Sequence, residues 1–405
     1  MKKILSIAVL AGLLLNFAAA QSNPALVEAF QRNFTRGSLS AKIEVLQDSL
    51  NYPETDWSSL YLLSLDFVTR NISILLNDNL ARELTNLTIR LIRLSGEEGA
   101  SGRPPGGNPA EALWSLFNVY GDISIQQEIL STLAVIAHRE PRILENLNRW
   151  AEGRNNLYRA GQPVNLDLLG EAFVTLGKIG DESSFPILFA ASTIAYPQEV
   201  KQKAEDALRQ VVAEDYRQMV GAILQNSPLP EKIAVLDYVA GESKIPEGDK
   251  AWIARRALQT GLVLSPQSTE EQSRIFEFQN RAAILLTSYP APEGANDLVR
   301  HFDTLLLAID RGLAPAGYLI NAIEALGRSG AREAAERLTL YLELVNLYTE
   351  NGQTVDPGVV MAVIHSLSLL GDRISFDYLL YVRYLSYPEE IKEAAREALD
   401  NLKRD

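Results

Sequence analysis

The 405-residue sequence contains no cysteine. Thiolate chemistry, disulfide support and every zinc site that uses cysteine are excluded with it. Histidine is almost as scarce: His138, His301 and His365 stand far apart, and no two share a helical turn. His138 is expected near a helix end, before Arg139-Glu140-Pro141, where a cationic group suits the dipole; His301 is expected to be exposed beside Arg300, and His365, in an apolar run, is expected to pack within a helix. Positive charge is short as well, with 38 Lys and Arg against 51 Asp and Glu and a net charge of −13. Phosphate binding needs a basic surface, so nucleic acid is not an expected partner. An anionic lipid surface is disfavoured for the same reason. No apolar run approaches the roughly 20 residues of a spanning helix.

Catalytic patterns are missing too. There is no nucleophile-elbow pattern, phosphate-binding glycine loop, helical zinc-binding histidine pair or calcium loop. Gly327-Arg-Ser-Gly330 resembles a glycine loop only in composition. The carboxylate pairs Glu97-Glu98, Glu270-Glu271 and Glu389-Glu390 fall in a loop or at helix starts, where acidic side chains suit the dipole. Acid–base work needs two carboxylates in one cleft with separated pKa values. The expectation is a chain that is not an enzyme, with no cofactor and no metal.

What is present begins with a leader. Lys2-Lys3, an apolar run over residues 4–17 and Ala18-Ala19-Ala20 read as a signal peptide over residues 1–20, cleaved before Gln21. The expected address is therefore outside the cytoplasm, periplasmic or secreted, with no membrane insertion after cleavage.

A repeated stretch organises the remainder. Residues 168–212 return 191 positions later: Gly180 answers Gly371, Asp181 answers Asp372, and Tyr196-Pro197 answers Tyr387-Pro388. Val200, Ala204, Ala207 and Leu208 follow one face of a 3.6-residue helix, as do Ile391, Ala395, Ala398 and Leu399. A glycine just past a helix takes the left-handed conformation that closes the last turn, and the following aspartate accepts backbone N–H groups. One unit thus reads as helix, Gly-Asp turn, helix, proline, helix. Looser copies of the turn occur at Gly121-Asp122 and around Gly330, and Lys42-Ile43 echoes Lys232-Ile233 at a separation of 190. The two long offsets hint at two halves of common origin.

The pattern over Ala172, Leu176, Gly177, Ile179, Gly180, Asp181, Val200, Lys201, Ala204, Ala207 and Leu208 resembles the HEAT-repeat family in its short bacterial form. The second copy departs from it, with Val363 for Ala172, Ser368 for Gly177 and Leu370 for Ile179. The resemblance implies an all-α fold, an α-solenoid of stacked antiparallel helix pairs with a HEAT-like or armadillo-like superhelix. It implies shape rather than activity: most such proteins are scaffolds, and a few are phycobilin lyases.

The expected organisation is a leader over 1–20, an N-terminal helical module capping the stack over 21–94, a flexible glycine- and proline-rich loop over 95–109, and the solenoid over 110–405. A polar loop over residues 152–165 is expected before the first clear copy. Alanine at Gly177, inside a helix, is expected to help, whereas valine at Gly180 is expected to harm. Tyr378, Tyr381, Tyr384 and Tyr387 recur at three-residue spacing, expected on one helix, and form the candidate protein-contact residues. The expected role is an exported, non-catalytic scaffold or adaptor with a protein partner. The alternatives are a structural spacer of an envelope assembly and a lyase-like tetrapyrrole-handling enzyme.

Overall fold

The computed structural model describes residues 24–76, 78–97, 108–137, 140–211 and 215–402. The expected leader, residues 98–107 of the expected loop, and His138 lie outside them. The described residues form twenty α-helices and no strand. The chain divides into two compact units, Met1–Val212 and Ala213–Asp405.

The first unit contains α1 (Pro24–Arg36), α2 (Leu39–Ser49), α3 (Ser58–Leu75), α4 (Asn79–Glu97), α5 (Pro109–Val119), α6 (Ile123–Ile136), α7 (Pro141–Arg159), α8 (Leu166–Ile179), α9 (Phe185–Thr193) and α10 (Gln198–Gln210). The second contains α11 (Tyr216–Asn226), α12 (Leu229–Gly241), α13 (Glu247–Val263), α14 (Thr269–Ser288), α15 (Ala295–Asp310), α16 (Gly317–Arg328), α17 (Arg332–Glu350), α18 (Pro357–Leu370), α19 (Phe376–Val382) and α20 (Glu389–Leu402). One packing rule holds inside each unit. Every odd-numbered helix packs on the even-numbered helix that follows it, and each also packs on the next helix of its own parity. Each unit is therefore two layers of five helices, with the core between them. Phe117, Phe173, Leu130 and Leu176 fill that core in the first unit, and Phe278, Phe302, Leu326 and Leu342 fill it in the second. Burial of each such side chain stabilises by about 1.5–3 kcal/mol.

The helix ends follow from local chemistry. Gly180 and Gly371 adopt φ of 72° and 67°, and their N–H groups return to Leu176 and Leu367. Asp181 and Asp372 then accept from the N–H groups of Ser183 and Ile374. Asp122 caps α6 in the same way, accepting from Ser124 and Ile125. Gly121 before it is not left-handed, whereas Gly330 is, at φ 65°. The helix before Gly121 ends instead on Tyr120, in extended backbone.

Three expectations need correction. The first half of the polar loop expected over 152–165 is helical, because α7 continues to Arg159; residues 160–165 do lie outside any helix. Asn155 is buried in that helical half, and its hydrogen bonds to Ile187 on α9 and to Tyr196, between α9 and α10, hold a polar turn in helical form. Gly177 does lie inside α8, but it is not a site that welcomes alanine. A Cβ there would stand 2.6 Å from the Cα of Ala207 on α10. In addition, α4 runs to Glu97, three residues into the stretch expected to be a loop.

The two units share buried polar devices as well as helix order. Lys42 is buried, and its ammonium donates to the carbonyls of Phe34 and, at 2.9 Å, Gly37, at the end of α1. Lys232 is its counterpart, donating at 2.7 Å to Leu224 at the end of α11. Each lysine satisfies terminal carbonyls that have no partner within their own helix. Burial lowers the pKa of both ammonium groups. Further along, Asn155 donates to the carbonyl of Ile187 at 3.2 Å and accepts from the hydroxyl of Tyr196 at 2.8 Å. Asn346 repeats this arrangement, donating to Tyr378 and accepting from Tyr387, both at 3.1 Å.

Candidate functional site

The four tyrosines separate into two roles. Tyr378 and Tyr381 lie on α19, which ends at Val382. Tyr384 sits in the following turn and Tyr387 in the extended residues before α20, so the single tyrosine helix expected from the spacing does not form. Tyr387 is buried, and burial raises its pKa; it belongs to the clasp with Asn346. Tyr378 is half-buried. Tyr381 and Tyr384 are the exposed pair, at 39% and 75%. The Tyr381 hydroxyl donates to Glu350 at 2.9 Å, and that bond raises its pKa.

Glu350 is the last residue of α17, and this helix carries what the tyrosine pattern missed. Leu340, Leu344 and Leu347 are exposed at 58%, 39% and 51%. Their i, i+4, i+7 spacing puts them on one stripe. The buried face of the same helix holds Leu338, Leu342 and Val345. Two apolar stripes on one helix look alike in sequence, because periodicity marks a face without saying whether a neighbour covers it. The signal that separates them is the comparison at 191 positions. There Arg149, Gly153 and Asn156 of α7 stand for Leu340, Leu344 and Leu347, and all three are exposed. On α15, which packs beside α17, Leu307 is 59% exposed.

Replacing Tyr381 by Ala together with Tyr384 by Thr restores the residues of the first unit, Ala190 and Thr193. The expected change in melting temperature is small, because surface changes usually stay within about 0.5 kcal/mol. A fall corresponding to about 3 kcal/mol, the cost of truncating a buried aromatic side chain, would return these tyrosines to the core.

Each unit also has an open groove between its first and second odd-numbered helices. In the second unit it measures 560 Å³, lies between α11 and α13, and is lined by Arg217, Gly221, Trp252 and Arg256 among others. Arg217 pairs with Asp249 at 2.6 Å, with its guanidinium over the Trp252 ring. In the first unit the groove between α1 and α3 measures 500 Å³ and is lined by Glu28, Arg32, Arg36 and Leu63. The residues lining the second-unit groove include no carboxylate, and those lining the first-unit groove include only Glu28. The carboxylate pair Glu270-Glu271 lies in the first turn of α14, where Ser268 accepts from the Glu271 N–H, and Glu389-Glu390 lies in the first turn of α20.

The histidines differ from expectation. His365 is exposed on α18. His301 is fully buried on α15, with Nδ1 3.0 Å from Oε1 of Gln279, whose amide donates in turn to the carbonyl of Gly261. The helical register turns this ring inward beside Phe302, despite the exposed Arg300 before it. With the Gln279 amide group committed to Gly261, Nδ1 carries the proton and Nε2 has no protein partner. Desolvation lowers the pKa from 6.5 to about 4. The neutral ring is the folded form, so its contribution is fully present above pH 6.5 and is lost as the pH falls towards 4. The full loss is roughly 3 kcal/mol, at 1.36 kcal/mol per unit. Urea midpoints measured across this range should fall less steeply for His301→Gln than for the parent chain. Parallel slopes would show that His301 is not the titrating group.

Among the described residues no group of three or more His, Asp or Glu side chains could hold a metal, and no helix is long and apolar enough to cross a membrane. No protein-family model matches the chain. No curated protein matches it either. One solved structure, from work described as computational design of self-assembling cyclic protein homooligomers, is similar at 12% identity over 80% of this chain and 95% of the other. Its TM-score is 0.13, too low to bear on fold or function.

Proposed function

We propose that this chain is an exported, non-catalytic protein-binding scaffold built of HEAT-like repeats, with each ten-helix unit a stack of antiparallel helix pairs. The observation that carries this reading is the packing rule: a helix touches its pair-mate and the next helix of its own layer, and the rule repeats through all ten helices. A stack of this kind buries one face of each layer and leaves the other open along its whole length. The Gly-Asp turns and the proline before α10 support the HEAT-like assignment, and the leader supports export. The test is isolation of the full chain from the native envelope fraction. Intact mass should begin at Gln21, and a second protein should accompany it in fixed proportion. A chain that keeps residues 1–20, or that elutes alone under mild conditions, would overturn the proposal.

A further inference from the structure

The open side of the second unit is not uniform. Leu340, Leu344 and Leu347 run along α17, and Tyr381 reaches Glu350 one turn beyond Leu347. On the other flank, Asp303 of α15 pairs with Arg337 at 2.6 Å, and the Phe302 ring meets Tyr341 edge-on at 5.1 Å. Leu307 is exposed one turn past Asp303 on this neighbouring helix. The exposed apolar side chains of α15, α17 and α19, neighbours in one layer, together with Tyr384 just past α19, make up an apolar strip. Clustered exposed apolar side chains rimmed by polar residues mark interaction sites on soluble proteins.

The fold does not require the strip. At the corresponding positions the first unit has Arg149, Gly153, Asn156, Ala190 and Thr193, with the same helices and the same asparagine–tyrosine clasp. The charge beside the leucines of α17 is one-sided: from residue 338 to the end of that helix there are Glu343 and Glu350 and no Lys or Arg, while Arg311 and Arg383 stand at the two ends of the strip and Arg337 is paired with Asp303. Glu343 and Glu350 border the leucines on α17 itself.

Resting on the scaffold reading, we propose that this strip binds an amphipathic helix of a partner protein, with an apolar stripe bordered by Lys and Arg. The i, i+4, i+7 spacing on α17 forms a ridge of the kind that packs against a second helix. The glutamates at its border select the sign of the partner's flanks and oppose acidic ones. A second copy of this chain is a poor fit, because it would bring the same glutamates and another net charge of −13 to the interface.

The test uses the full chain and a labelled synthetic helix of leucine and lysine, with a leucine–glutamate helix of the same pattern as control. Fluorescence anisotropy should show the lysine helix binding at least about tenfold tighter than the glutamate helix, and more weakly as salt rises. The triple change Leu340→Arg, Leu347→Asn and Tyr384→Thr restores first-unit residues. It should weaken binding by about tenfold or more while leaving the melting temperature in place. If that variant proves unstable, the single change Glu343→Lys carries the same comparison. Equal binding by parent and variant, equal binding of the two helices, or a concentration-dependent doubling of mass that the variant abolishes would each overturn the proposal. Those results leave the scaffold reading standing, since its own test is an accompanying protein in the native fraction.

Discussion

Gly177→Ala is expected to destabilise the chain by about 3 kcal/mol, at the upper end of the usual cost of forcing an extra carbon into a packed contact. Alanine is the better helix former by about 1 kcal/mol, so propensity alone gives the opposite sign. The crossing of α8 and α10 decides the outcome. A Cβ on Gly177 would lie 2.6 Å from the Cα of Ala207 and 3.2 Å from its carbonyl oxygen. Both are backbone atoms, and neither can move without shifting α10. Gly180→Val is expected to cost less, roughly 1–2 kcal/mol, because φ of 72° strains the residue while the nearest atom to a Cβ is 3.6 Å away. Chemical denaturation of the two variants gives the order directly; a stabilised Gly177→Ala would mean that the helices do not approach this closely. The second unit supports the reasoning from the other side. Ser368 stands where the first unit has Gly177, its hydroxyl accepting from Asn401 at 3.0 Å, and the tight crossing appears instead at Gly327, where an added Cβ would lie 2.6 Å from the Cβ of Ser366.

Asn155→Ala and Asn346→Ala are each expected to cost about 1–3 kcal/mol. Truncation removes the buried acceptor of a tyrosine hydroxyl and the second donor to a helical carbonyl, and the lost buried hydrogen bonds set that range. In the first unit those groups belong to Tyr196 and Ile187, in the second to Tyr387 and Tyr378. Both asparagines are buried. Equal losses are the signature of one device used twice. A loss at one site with none at the other would show that the correspondence between units stops at helix order.

The sequence disclosed the turns better than the faces. Gly180, Asp181, Gly371 and Asp372 were legible because left-handed backbone and N-capping each favour few residue types. Lys42 and Lys232 were visible as an echo, but their role was not, since nothing in a sequence says that a lysine points inward at carbonyls. Asn155 was hidden for a related reason: a polar stretch reads as a loop until its tertiary hydrogen bonds are known. The exposed leucines of α17 were hidden in the opposite way, because an apolar stripe at helical spacing is what core residues produce. Only the comparison with α7, where the burial pattern is the same and the residues are not, separates cover from core.

The most direct measurement of the functional claim is site-specific photo-crosslinking in the native cell. A crosslinking side chain placed at Leu344 on α17 is compared with one placed at Gly153 on α7. Both positions are exposed at the same place in their units, so geometry is held constant and only the surroundings differ. The account predicts a partner adduct from position 344, with the attached peptide drawn from a basic amphipathic helix, and little or none from position 153. Equal adducts at the two positions, or none at 344, would contradict it.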